Sequence, residues 1–151
     1  MAVYKSLEDA ISISCENIQA LDSEYLHIDD AFMRVAADNI TSCIDIPNFD
    51  HSSMDGYVIG QADLEKLQTG SLMSLQVTAT IKAGSMENIA IRNGETYRIM
   101  TGALLPEGSA AVLKQEDVQL NGNYIVARSF PKQGENIRKA GHKLRAGNKV
   151  A

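Results

Sequence analysis

The stretch Leu75-Gln76-Val77-Thr78-Ala79-Thr80-Ile81 alternates apolar and polar residues with a period of two. Successive side chains of a strand point to opposite faces, so this alternation predicts a half-buried β-strand. Glu95–Met100, Ala110–Lys114, Val118–Leu120 and Tyr124–Ala127 read as further short strands. Asn121-Gly122 separates the last two and predicts a hairpin with a type I′ turn, whose central residues both need positive φ. From Ser71 to Phe130 the chain is therefore mostly β. From Pro131 it becomes polar and punctuated by glycine.

Helical signals sit near the start. Ser6 and Asp9 have the spacing of a capping box, and Leu7, Ile11, Cys15 and Ile18 then recur at helical spacing. Such a stripe serves as core or as a dimer contact. Tyr25–Ile28 reads as a short strand, Asp29 or Asp30 as the cap of a short helix over Ala31–Val35, and Ala36–Ser42 as an extended segment. Between Ile46 and Gly60 the turn formers Pro47, Asn48, Asp50, Ser52, Ser53, Asp55 and Gly56 lead into a strand at Tyr57-Val58-Ile59. Ala62–Gln68 has room for one or two helical turns, ended by Gly70. Short strands with helices at one end make the predicted class α+β, mostly β.

A chain of 151 residues with 44% hydrophobic and 22% charged content can build a core. Its opening residues, MAVYKSLEDA, lack the cationic and apolar regions of a signal peptide, and no apolar run is long enough for a membrane span. Cys15 and Cys43 make no disulfide framework and read as reduced thiols of a cytoplasmic protein. The net charge of −5 is uneven: from Arg128 onward seven Lys and Arg face a single acid, Glu135, a balance of +6 against −11 for the rest. Such a basic segment can face an anionic ligand or nucleic acid, or it can balance the acidic body across a fold or dimer contact. No aromatic residue follows Phe130 on which bases could stack, which argues against single-stranded nucleic acid. The ending Arg145–Val150 reads as a cut through a continuing strand.

Two loops concentrate reactive side chains. Asn48–Tyr57 holds two carboxylates, two serine hydroxyls and an imidazole. Asp55, before Gly56 at a loop-to-strand junction, can accept backbone N–H bonds in a structural role, or it can bind a metal or steer a polar substrate. Asp50, His51 and Ser53 form no recognisable nucleophilic triad. In Arg98–Gly108 a strand ends in Thr101-Gly102 and opens into a Pro/Gly loop. There the Thr101 hydroxyl can bond an oxyanion or the polar edge of a ligand, or satisfy its own backbone, and Gly102 permits close backbone approach. No phosphate-binding P-loop is present. Lys114–Asp117 reads as a solvated strand end. Gly134–Gly141 mixes glycines with cations and can cradle an anion or be a simple basic loop.

Three segments together resemble the molybdopterin molybdenumtransferase family, which includes bacterial molybdenum-insertion proteins and the C-terminal part of gephyrin. Asp45–Tyr57 resembles its first signature, with a proline, a Phe-Asp and a Ser-x-Met-Asp-Gly-Tyr core. Tyr97–Val112 looks like its second signature, and Gly134–Gly141 is similar to its third. The order and spacing agree, and the likeness covers essentially the whole chain. One departure stands out: Gly141 is followed by His142-Lys143, where the family usually has Glu-Asp.

The resemblance implies a dimerisation unit of residues 1–47 plus 131–151 and an inserted, mostly β unit of residues 48–130. It implies that the pterin-binding α/β domain and the C-terminal β domain lie outside these residues. It further implies insertion of molybdenum from molybdate into adenylylated molybdopterin with release of AMP, Mg2+ as the cofactor of the full-length enzyme, and a homodimer without nucleic-acid or membrane partners. By motif match Asp55 and Thr101 are the expected catalytic residues, with Ser53, Arg98 and Glu116 as expected substrate-binding residues and no metal ligand. No metal is expected to bind this region tightly, and the isolated chain is expected to be inactive. The alternative is a non-catalytic dimeric scaffold that keeps the fold without the chemistry.

Overall fold

The computed structural model describes residues 5–16, 18–71, 74–86 and 89–151. The reading of Met1–Tyr4 as free of a signal peptide lies outside them. The chain divides into two compact units, Met1–Asn39 and Ile40–Ala151.

In the first unit α1 spans Leu7–Glu16. Its capping box forms as expected: the Asp9 amide donates to Ser6 Oγ at 3.1 Å and the Ser6 amide to Asp9 Oδ2 at 3.4 Å. The segment after it departs from the sequence expectation. Tyr25–Ile28 forms no strand, and a single 3-10 turn at Ile28–Asp30 takes the place of the helix expected over Ala31–Val35. His27 caps that turn, accepting the Asp29 amide through Nδ1, so neither Asp29 nor Asp30 is the cap. Met33 then enters the left-handed region at φ 63°, which stops any helix from continuing. Arg34 pairs with Glu24. Ala36–Ser42 forms bends and a single bridge at Thr41 rather than a strand. No described residue of this unit is buried, and Leu7, Ile11, Ile18, Leu21, Phe32 and Val35 stand largely exposed.

The second unit holds two sheets. The short strands β1 (His51–Ser52) and β8 (Ile137–Arg138) pair antiparallel. The larger sheet contains β2 (Gly56–Gly60), β3 (Ser74–Ile81), β4 (Glu95–Ile99), β5 (Ser109–Lys114), β6 (Val118–Asn121) and β7 (Tyr124–Ala127). Its strand order is β5-β2-β4-β3-β7-β6, and β3 with β4 is its parallel pair. α2 (Gln61–Gln68) follows β2 directly and ends at Gly70, as the sequence predicts.

The hairpin forms, but its turn is shifted by one residue. Asn121 pairs with Tyr124, so the central residues are Gly122 and Asn123, and of these only Gly122 has positive φ. That is the signature of a type II′ turn with glycine leading, instead of the expected type I′.

The sheet is buried on both faces at its centre. Tyr57 and Ile59 of β2 pack on one side with Leu64 and Leu67 of α2, Leu75, Leu113 and Ile125. Val58, from the same strand, packs on the other side with Ile81, Tyr97, Ile99 and Val112. Strands covered on both faces read as continuous apolar runs rather than as alternation. This explains why only β3, with Leu75 and Ile81 buried and Gln76, Thr78 and Thr80 exposed, announces itself by period. The polar exceptions inside are satisfied. Asp63 Oδ2 accepts the Gly94 amide at 2.6 Å, and Thr96 Oγ1 donates to the Val58 carbonyl at 2.7 Å.

Candidate functional site

The three sequence segments, far apart in the chain, meet around the loop of residues 48–56. On one side the second segment is laced to it. The Ser52 amide donates to the Ala103 carbonyl at 3.1 Å, the Gly102 amide to the Ser52 carbonyl at 2.8 Å, and the Leu105 amide to the Asp50 carbonyl at 3.2 Å. On the other side β1 pairs with β8 of the third segment, and the Ser53 amide donates to the Asn136 carbonyl at 3.0 Å. Ser52 is fully buried, and its hydroxyl closes a tight turn by donating to the Met54 carbonyl at 2.6 Å. That turn delivers Asp55 to the surface.

Asp55 and Thr101 are in direct contact. Asp55 Oδ1 accepts the Thr101 amide at 2.7 Å and the Thr101 hydroxyl at 2.8 Å. The Thr101 hydroxyl is thus spent on Asp55 and not on its own backbone. Asp55 Oδ2 has no hydrogen bond among the described residues. The Thr101 amide, the Thr101 hydroxyl and the nearby Arg98 charge outweigh slight desolvation and hold the Asp55 carboxyl below the ordinary carboxylate value. The group therefore stands exposed and ionised, with one oxygen fixed and the other open. Gly102 follows at φ 82°, and a Cβ there would have ample room. Its glycine serves the left-handed backbone, not the close approach expected from the sequence.

The remaining expected residues fall in different places. Arg98, on β4, is exposed and acts on Asp55 through its charge. Glu116 lies in a 3-10 turn, Gln115–Asp117, where it accepts the Gln115 side chain at 3.2 Å, while the Gln115 amide donates to the Asp55 carbonyl at 3.1 Å. Ser53 has no bond to Asp55 and lines a separate cavity with Asn136, Ile137, Arg138 and His142.

Asp50 has a role that residue types alone did not reveal. Its Oδ1 accepts the Ala140 amide at 2.8 Å and its Oδ2 pairs with Lys139 Nζ at 2.6 Å, which fastens the third segment to the first. Partial burial pushes the Asp50 carboxyl up, but the Lys139 bond, the Ala140 amide and the charges of Lys139 and His51 together hold it below its ordinary value. The sign of the pH effect follows. A carboxyl with a depressed folded pKa contributes stability that is present above the unfolded value, about 3.9, and is lost as pH falls through the folded one. Urea titrations between about pH 6 and pH 2 are expected to show Asp50→Asn less stable than wild type at the upper end, with the difference shrinking toward the acid end. A difference that grows on acidification would contradict this account of the clamp.

The family model described as "MoeA N-terminal region (domain I and II)" matches residues 5–151. The chain belongs to this family. A relative from Haemophilus influenzae, named molybdopterin molybdenumtransferase, is 38% identical over 129 residues, covering 85% of this chain and 31% of its own length. One of the same name from Nostoc is 31% identical over 149 residues, covering 96% of this chain and 34% of its own. The crystal structure of the molybdopterin biosynthesis MoeA protein from Pyrococcus horikoshii superposes with a TM-score of 0.81 at 28% identity, over 95% of this chain and 38% of that one. The chain thus corresponds to the N-terminal region of MoeA and spans about a third of the length of the curated relatives it matches. No helix among the described residues is long and apolar enough to cross a membrane.

Proposed function

We propose that these residues form the part of a molybdopterin molybdenumtransferase that presents Asp55 and Thr101 to the reaction inserting molybdenum from molybdate into adenylylated molybdopterin, with release of AMP. The observation that carries the reading is the Asp55 carboxylate, ionised and exposed, with Oδ1 fixed by two Thr101 bonds and Oδ2 open. A fixed anion can accept hydrogen bonds from a bound pterin or orient a cationic partner at no reorganisation cost during the reaction. The relatives' names supply the reaction, and the share of their length spanned here leaves room for further domains that bind the pterin.

Within this reading residues 1–47 and 131–151 form one unit and residues 48–130 an insert. For residues 40–47 the support is their pairing with the last segment: the Ile40 amide donates to the Ala151 carbonyl at 3.0 Å and the Ile46 amide to the Leu144 carbonyl at 2.7 Å. A homodimer is supported by the exposed apolar side chains of the first unit, since a ten-residue helix such as α1 is marginal in water without a packed face. The two free thiols, Cys15 and Cys43, fit a reducing cytoplasm. The divalent ion is expected to act in the full-length reaction; among the described residues no three His, Cys, Asp or Glu side chains come together.

The test is a chimera in which this chain replaces the matched part of the Haemophilus influenzae relative. It should insert molybdenum, whereas the 151-residue chain alone should not turn over. A chimera that folds and dimerises but stays inactive would favour the second reading, a non-catalytic scaffold. His142-Lys143, in place of the usual acids, is the feature that speaks for that scaffold.

A further inference from the structure

The sequence carries two Asn-Gly pairs, Asn93-Gly94 and Asn121-Gly122. The fold sets them on opposite sides of the same stretch of β3. On the β4 side the Gln76 amide donates to the Gly94 carbonyl at 2.9 Å, and on the β7 side the Val77 amide donates to the Asn123 carbonyl at 2.7 Å. Both pairs are exposed, and both glycines have positive φ, 79° at Gly94 and 58° at Gly122. Dipeptide, exposure and backbone hand are thus alike, and the glycine amide is where the two turns differ.

Gly94 is held. Its amide donates to Asp63 Oδ2 at 2.6 Å. Asp63 lies in the first turn of α2, is only 1% exposed, and has Lys66 Nζ 3.5 Å from its other oxygen. Gly122 is free. In its two-residue turn the ladder closes on the outer pair, Asn121 and Tyr124. Neither the Gly122 amide nor the Asn121 side chain makes a hydrogen bond among the described residues.

An asparagine before glycine is open to attack by the glycine nitrogen, because no side chain on that residue obstructs the approach. The nitrogen gives its proton to hydroxide and attacks the asparagine Cγ. The new N–Cγ bond closes a cyclic imide, and the Cγ–Nδ2 bond breaks to release ammonia, which takes its proton from water. Water then opens the imide. Cleavage of the N–Cγ bond leaves aspartate on an unchanged backbone. Cleavage between the nitrogen and the backbone carbonyl carbon leaves isoaspartate, with the chain rerouted through the side chain. One water enters and one ammonia leaves, and no oxidant or cofactor is consumed. At Gly94 the first step would set a negative nitrogen against the buried Asp63 carboxylate, and like charges so close disfavour it. It would also give up a hydrogen bond to a charged acceptor. At Gly122 no bond is lost.

We propose that Asn121 is a spontaneous deamidation site, converting to aspartate and isoaspartate, and that Asp63 protects Asn93 from the same reaction. The fold has room for the product. β6 is an edge strand, and its last three residues are exposed. The extra backbone methylene of isoaspartate enters at the end of β6, while Asn123 stays bonded to Val77 and β7 keeps its register with β3. Either product adds a negative charge at the hairpin tip. None of this involves Asp55, so it stands or falls separately from the transferase reading.

The test is ageing of the folded 151-residue chain in mildly alkaline buffer made with oxygen-18 water, followed by peptide mass spectrometry. The peptide holding Asn121 is expected to lose its amide nitrogen and gain one solvent oxygen about tenfold or more faster than the peptide holding Asn93, the factor that loss of one charge-assisted hydrogen bond implies. In urea, where the Asp63 contact is gone, the two rates should converge. Asn121→Gln should silence the site, because glutamine would have to close a larger ring. A carboxyl methyltransferase specific for isoaspartate should label the aged wild-type chain and not the aged Asn121→Gln chain. Conversion of Asn93 as fast as Asn121 in the folded chain would overturn the proposal. So would an Asn121 that stays intact in the folded chain while it converts in urea.

Discussion

Gly56→Ala is expected to destabilise the second unit by about 3 kcal/mol or more, a large part of the roughly 5–15 kcal/mol that holds a domain of this size. Gly56 is the first residue of β2, flanked by β4 and β5 and paired with Ile99 on one side and Lys114 on the other. A Cβ placed there would lie 1.9 Å from the Leu113 carbonyl oxygen and 2.9 Å from its carbon. Those atoms are backbone in the middle of a ladder and cannot swing aside, so β2 and β5 would have to part. Gly60, at the other end of β2, is the control. A Cβ there would meet the end of the Ile91 side chain at 3.3 Å, which can give way. Gly60→Ala is therefore expected to cost less than about 1 kcal/mol. Urea unfolding of both variants makes the comparison. Equal, small effects would mean that the β2–β5 contact is looser than described.

Gly56 also shows what the sequence conveyed and what it hid. Beside Asp55 it reads as a turn former, because residue type favours loops there. Its actual place is a buried strand end, fixed by a close approach of β5 that no local pattern encodes. The strands themselves were legible where one face is wet, as in β3, or where turn residues bracket them, as in β6 and β7. The segment of residues 25–42 was misread because its apolar residues suggested elements, whereas none of them finds a packed face within the unit. In the site, the motif residues Asp55 and Thr101 were legible as a pair only through the family resemblance. Their contact spans 46 positions in sequence and depends on the Ser52 turn and the Gly102 backbone. Asp50 was visible only as one more carboxylate in a crowded loop. Its partner Lys139, 89 positions away, gives it its role. The cavity with Arg138 and His142 was foreshadowed by the mixture of glycine and cations in Gly134–Gly141, but Ser53 joins it from a different segment.

The second large effect concerns Asp55. Two substitutions separate its possible roles. In Asp55→Asn the amide oxygen can still accept the Thr101 amide and hydroxyl, so the loop keeps its shape while the charge disappears. In Asp55→Ala both bonds go as well. If the carboxylate only secures the turn, Asp55→Asn should be nearly silent and Asp55→Ala should lower stability. If the open oxygen works on substrate, Asp55→Asn should lower the insertion rate on the order of a hundredfold with stability close to wild type. Thr101→Ala should fall between, since the carboxylate stays but is held by the backbone amide alone.

The most direct test is the single-turnover rate of molybdenum insertion, read together with AMP release, in the chimera carrying this chain ahead of the remaining domains of the Haemophilus influenzae relative. The account predicts that the chimera inserts molybdenum, and that Asp55→Asn, folded and with unchanged oligomeric state, loses about two orders of magnitude in rate. Insertion by Asp55→Asn at the wild-type rate would contradict it and leave Asp55 as a turn residue.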